Sequence, residues 1–166
     1  MNSDMGRTSG QKNGPEVLRL TAGDGCVVLK RKAVKLMHPY DNELVIYHMR
    51  SMLSEAGFNK TDEYILAAAA SELATNILRY AVDGEMQICL VQNAHNHLGV
   101  EVFASDGGPG IADIEAAMRE HYTSEQGSLG MGLPSVKRIM DEFEIESIVG
   151  CGTRVRARKW REHGQD

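Results

Sequence analysis

The stretch Gly127-Ser128-Leu129-Gly130-Met131-Gly132-Leu133-Pro134 constrains the fold of this chain more than any other. Glycines at 127, 130 and 132 permit positive φ and let a ligand come close to the backbone. Pro134 suits a first helical turn, and Val136, Ile139, Met140 and Phe143 follow at helical spacing. The pattern predicts a loop that enters a helix over about Leu133 to Glu142. Free N–H groups and partial positive charge at such a helix start make a phosphate the natural guest. A glycine-rich linker would carry the same letters, so other parts of the chain must complete any pocket.

At 166 residues there is enough chain for one domain with a core. The 18 basic and 23 acidic residues leave a net charge of −5, which argues against DNA or RNA as the main partner. The basic clusters, Lys30 to Lys35 and Arg154 to Arg161, read as exposed strand faces. Cys26, Cys89 and Cys151 are far apart and odd in number, giving neither a disulfide framework nor a zinc spacing, and Cys26 and Cys89 read as small core hydrophobes. His95 and His97 form an H-x-H in a turn without an evident third ligand, and His48 reads as a core histidine. No run approaches the roughly 20 apolar residues of a membrane span, and Met1 to Gly14 is too polar for a signal peptide. A cytoplasmic protein without a membrane partner is expected.

In chain order, residues 1 to 25 read as a flexible tail, followed by a single ordered unit over 26 to 162. Cys26 to Ala33 reads as a strand. Asp41 is expected to cap a helix with Leu44, Val45, Tyr47, His48, Met52 and Leu53 inward, ended by Gly57. A second helix should run from Thr61 to about Val82. Strands are expected at Met86 to Gln92 and Leu98 to Ser105, then a short helix at Ile111 to His121. After the glycine loop and its helix, Glu144 to Val149 and Thr153 to Lys159 should close the chain as a strand pair. Five strands on one side of three main helices predict an α/β fold, a two-layer sandwich.

Within the second helix, Glu72, Asn76 and Arg79 fall within an arc of roughly 60°. They adjoin the arc of Leu66, Ala69, Leu73, Ile77 and Tyr80, which should face the core. The polar three therefore stand at the margin of the buried face, where a cleft would open. An ordinary i,i+4 pair on a solvated edge is the alternative. Asn is a poor helix former, however, and its amide oxygen suits a hard metal ion carrying phosphates. Asp106-Gly107-Gly108-Pro109-Gly110-Ile111 follows a strand, and is either a simple turn or an acceptor for an exocyclic amine beside room for a flat ring. Gly150-Cys151-Gly152-Thr153 reads as a hairpin whose threonine hydroxyl could reach a bound base.

Glu-x-x-x-Asn, Asp-x-Gly-x-Gly, Gly-x-x-Gly-x-Gly-Leu and Gly-Thr, in this order over about residues 26 to 160, resemble the GHKL ATPase/kinase superfamily. The size resembles the bacterial anti-sigma factors and switch serine kinases, and Ser71 to Ala81 and Leu129 to Phe143 resemble the stressosome switch kinases in particular. The resemblance implies the Bergerat (GHKL) ATP-binding fold, with a mixed, mainly antiparallel sheet covered on one face by helices. It implies ATP and Mg²⁺ as cofactors, with Asn76 holding the metal and Glu72 acting as general base. Asp106 would bind the adenine amine, Gly108, Gly110 and Ile111 would shape the pocket floor, and Thr153 would support the base. Gly127, Leu129, Gly130, Met131, Gly132 and Leu133 would cradle the phosphates beneath a lid over Met118 to Ser128, and Arg79 would assist the phosphates or pair with an acidic neighbour. The lid tip, Ser124-Glu125-Gln126, departs from the pattern in lacking a Lys or Arg. The implied activity is serine phosphorylation of a STAS-domain antagonist, with a PP2C-type phosphatase or a sigma factor as further partners and a homodimer as the assembly. An anti-sigma factor that sequesters its sigma factor is the alternative.

Overall fold

Alternation of apolar and polar residues sets the sheet, and its two faces differ sharply in what they bury. A computed structural model describes residues 25–119 and 132–162, so the predicted tail and most of the predicted lid lie outside the described residues. The strands are β1 (Val27–Leu36), β2 (Gly84–Gln92), β3 (Leu98–Asp106), β4 (Glu142–Ile148) and β5 (Gly152–Trp160). They form one sheet in the order β1-β2-β3-β5-β4, and every described pairing is antiparallel. Val34, Leu36, Met86, Ile88, Val100, Val102, Val155 and Ala157 point to the helices and build the core. Such burial is the main stabilising term in the fold.

Helices α1 (Asp41–Glu55) and α2 (Lys60–Tyr80) cover that face. The buried side of α2 is rich in alanine (Ala67, Ala69, Ala70, Ala74), which lets it lie close to α1 and the sheet. Asn59 caps α2, its side chain accepting from the Asp62 N–H. Asp41, expected to cap α1, is instead its first residue, and its carboxylate takes the N–H groups of Met37 and His38. The expected inner face of α1 also needs correction. Val45, Met49, Met52 and Leu53 are buried, while Leu44 is 48% and Tyr47 65% exposed. Apolar residues run unbroken from Leu44 to Tyr47, right round one turn of the helix, so the stripe that meets the sheet is not marked by pattern alone. Tyr80, placed on the core arc of α2, is likewise half exposed in the last turn. His48 is partly buried, and that burial pushes its imidazole pKa down, with Lys32 adding to the effect. Cys89 is fully buried and Cys26 partly so.

The short elements near the loops are shorter than their patterns suggest. Helix α3 spans only Ile114–Ala117, capped by Asp113, because the Ile111 N–H is held by Ser147 and keeps the preceding chain out of helix. Helix α4 covers Leu133–Ile139 with Pro134 in its first turn. Phe143, expected to extend it, lies in β4 opposite Ala157. Asp141 makes the break: its N–H binds the Arg158 carbonyl and its carboxylate binds Lys159 and the Trp160 N–H.

The face of the sheet away from α1 and α2 corrects the reading of the C-terminal basic cluster. Arg31, Cys89, Glu101, Arg158 and Glu142 stand opposite one another across the five strands. Glu101 and Arg158 are only 0% and 1% exposed, so part of this cluster is a buried ion row rather than a solvated strand face. No helix among the described residues is long and apolar enough to cross a membrane.

Candidate functional site

Register brings the strand ends Gly84, Asp106 and Thr153, with Ser147 beside Thr153, to one edge of the sheet. The C-terminal half of α2 runs past this edge, and the N-terminus of α4 meets it. Between them lies a cavity of about 300 Å³. Glu72, Asn76 and Arg79 from α2 form one side, Asp106, Gly110 and Ile111 the loop end, and Gly132 and Leu133 the start of α4. Thr153 and Val155 from β5 close the floor. These predicted residues are thus gathered in one place from four separate segments. Gly127, Leu129, Gly130 and Met131 lie outside the described residues.

Two glycines let the backbones meet here. Gly152 has φ +121°, and a Cβ on it would run into the Asp106 carbonyl oxygen. Gly110 has φ +75°, and a Cβ there would strike the Ile148 carbonyl. A bulkier residue at either position would push the Asp106 loop away from the β4–β5 hairpin. The loop is also tied down: Gly150 N–H donates to the Pro109 carbonyl at 2.8 Å and Ile111 N–H to Ser147 Oγ at 2.7 Å. Asp106 Oδ1 accepts from the Gly108 N–H at 2.8 Å. Gly108 therefore supports the aspartate from behind and is absent from the cavity wall, where it was expected to form the floor. Among the described residues no hydrogen bond takes the second Asp106 oxygen.

Charge is arranged along α2. Glu72 is partly buried, and the loss of water around it raises its pKa above the ordinary glutamate value, with Arg79 pulling it back. A carboxylate poised this way is a better base than a free one. Arg79 lines the cavity and lies near the Tyr80 ring, 6.0 Å from its centroid. Asn76, one turn beyond Glu72, lines the same wall. Its amide oxygen is a hard donor of the kind magnesium takes. Among the described residues there is no cluster of three His, Cys, Asp or Glu that would cage a metal. The Asn76 oxygen would suit an ion that draws its other ligands from phosphate and water. His97 is engaged elsewhere, bonding the Arg161 carbonyl and stacking on Trp160.

The raised Glu72 pKa sets a stability prediction. Folding favours the neutral carboxyl, so this contribution is full below the unfolded pKa and lost as pH rises through the folded one. At neutral pH the ionised group is a liability. Glu72→Gln is expected to melt up to about 3 °C above the parent protein at pH 7, with the gap closing below pH 4.5. A lower melting temperature at neutral pH would show that the carboxylate is stabilised where it stands.

Two contributors escaped the sequence reading. Ser147, in β4, holds both the Ile111 N–H and the Thr153 hydroxyl. Asn42, from α1, donates to Ser71 Oγ at 2.9 Å and Thr75 Oγ1 at 3.3 Å, bracing the stretch of α2 that carries Glu72. Period-two alternation on from Ile145 would have put Ser147 on the inner face. Nothing in the pattern marks Asn42.

The family model described as "Histidine kinase-like ATPase domain" matches residues 42–159. The chain belongs to that family. The match takes in every cavity wall described above. Serine/threonine-protein kinase RsbT of Bacillus subtilis is 39% identical over 130 residues, covering 78% of this chain and 96% of that protein. The anti-sigma F factor of Caldanaerobacter subterraneus is 35% identical over 99 residues, 57% of this chain and 68% of the relative. A crystal structure of the RsbU and RsbW domains of a Mycobacterium tuberculosis protein superposes with a TM-score of 0.52 at 16% identity. It covers 80% of this chain but only 33% of the other, and carries the likeness of fold alone. The relatives of this chain thus include both a kinase and an anti-sigma factor.

Proposed function

We propose that residues 26 to 162 form an ATP-binding kinase domain that transfers phosphate from Mg²⁺-bound ATP to a serine of a STAS-domain antagonist protein. One observation carries the reading: a glutamate with a raised pKa, an Asn one turn away and an Asp–Thr strand-end pair share one cavity. The 39% identity to a serine/threonine kinase over almost all of that relative supports it. Asp106 and Thr153 receive the base, the start of α4 at Gly132 and Leu133 receives phosphate oxygens, and Asn76 offers the metal ligand. Bound Mg²⁺ would neutralise phosphate charge. Glu72 accepts the proton of the attacking serine hydroxyl, and Arg79 stands beside it to offset negative charge. Positioning and charge account for most of what phosphoryl transfer requires.

In this reading the protein is cytoplasmic and works by exchanging partners, activating a PP2C-type phosphatase once released from the antagonist, and pairs as a homodimer. The similarity to anti-sigma F factors favours a second reading, in which the chain binds and holds a sigma factor and nucleotide regulates that binding. Mass spectrometry of co-purified proteins, with and without ATP, separates the two. The kinase reading expects an antagonist that gains phosphoserine when ATP is added. Stable capture of a sigma factor with no new phosphoserine would favour the second. Asp106→Asn places amide hydrogens where an amine donor should dock, and is expected to weaken ATP binding by about 1–3 kcal/mol in titration calorimetry. Unchanged affinity would remove Asp106 from the base pocket.

A further inference from the structure

We propose that Ser147 fixes the direction of the Thr153 hydroxyl and thereby makes this end of the cavity favour a purine bearing an exocyclic amine over one bearing an oxo group. The inference rests on the ATP reading of the cavity and adds a positioning residue behind it.

Ser147 and Thr153 are cross-strand partners on β4 and β5. The Ser147 hydroxyl has three neighbours. It lies 2.7 Å from the Ile111 nitrogen, 3.1 Å from the Gly152 carbonyl oxygen and 2.8 Å from Thr153 Oγ1. A serine hydroxyl owns one proton and two lone pairs. A backbone N–H only donates, so Ile111 occupies one lone pair. A carbonyl only accepts, so Gly152 takes the single Ser147 proton. The remaining lone pair can be filled only by the Thr153 proton. That is the one arrangement in which all three contacts are hydrogen bonds.

Thr153 then has no proton left for the cavity it lines, and meets a ligand as an acceptor. Asp106 is its cross-strand neighbour on β3, and its carboxylate is an acceptor as well. Two adjacent acceptors match an amine, which has two protons to give, and oppose a carbonyl oxygen. Without the Ser147 hydroxyl, Thr153 is free to rotate and donate. The same serine holds the Ile111 N–H, so one residue sets both loop position and hydroxyl polarity.

ATP and inosine triphosphate, which differ in an amine against an oxo group on the six-membered ring, are the probes. Equilibrium binding of both is measured for the parent protein and for Ser147→Ala, Ser147→Thr, Thr153→Val and the Ser147→Ala/Thr153→Val pair, with thermal melting as a folding control. The parent should prefer ATP. Ser147→Ala should cut that preference about ten-fold, Ser147→Thr should retain it, and the double variant should fall no further than Thr153→Val alone. Equal loss of both nucleotides in Ser147→Ala would overturn the inference, leaving Ser147 a loop anchor only. So would an unchanged preference in Ser147→Ala or Thr153→Val, and an unfolded Ser147→Ala leaves the Thr153→Val and Ser147→Thr results to decide. A parent protein that binds neither nucleotide would instead overturn the ATP reading itself.

Discussion

Glu72→Gln is expected to reduce serine phosphorylation of the antagonist by about two to four orders of magnitude while ATP affinity shifts less than about three-fold. Glutamine preserves the size of the side chain but cannot take the hydroxyl proton. The groups proposed to hold the nucleotide, Asp106, Thr153 and the start of α4, stand on other segments and are untouched. The pH profile gives an independent check. Loss of water around Glu72 raises its pKa, so its base form disappears on acidification at a higher pH than that of an exposed glutamate. The parent rate should fall through that folded pKa, and the residual rate of the variant should lack this inflection. Transfer retained near the parent rate would exclude Glu72 as the base, whatever the nucleotide affinity.

The parts of the site legible in the sequence are those whose geometry is local. Glu72, Asn76 and Arg79 lie within eight positions on one helix, and helix geometry alone places them on one margin. Asp106 could be placed because an aspartate followed by glycines ends an alternating strand, and the end of a strand is where an open pocket forms. The assembly of these pieces was not local. It depended on the recurrence of four boxes in a known order, and the pairing of Asp106 with Thr153 follows only from the order β3-β5-β4.

What escaped shows the same division. Ser147 holds the N–H of Ile111, 36 positions away in sequence, a strand-to-loop contact that no local pattern states. The stripe of α1 that faces the core was misplaced because Leu44 and Tyr47 are as apolar as Val45 and Met49, and only packing chooses between them. Phe143 fits both a helical repeat and a strand, and the Asp141 hydrogen bonds to β5 decide for the strand. The alternating arginines of β5 look solvated by composition. Their carboxylate partners come from β3 and β4, so the burial of Arg158 could not be read from its own segment.

That buried row carries the largest stability effect expected outside the cavity. Glu101 Oε2 accepts from Arg158 Nε at 2.7 Å and from Arg156 Nε at 2.9 Å, at the centre of the sheet. Glu142, on β4, binds Arg158 Nη1 from the other side at 3.0 Å, but is itself partly exposed. Removing Glu101 takes the central carboxylate away from a guanidinium that is 1% exposed. Glu101→Ala is therefore expected to lose about 3–5 kcal/mol in urea unfolding, since an under-compensated buried charge costs more than the pair contributes. Replacing both partners, Glu101→Leu with Arg158→Met, should recover most of the loss, because two apolar side chains of similar volume carry no desolvation cost. The row lies on the face of the sheet opposite the cavity, so the folded double variant should bind ATP within about two-fold of the parent. A Glu101→Ala loss below about 1 kcal/mol would mean that water or Glu142 already compensates Arg158, and that the row is a surface network despite its burial.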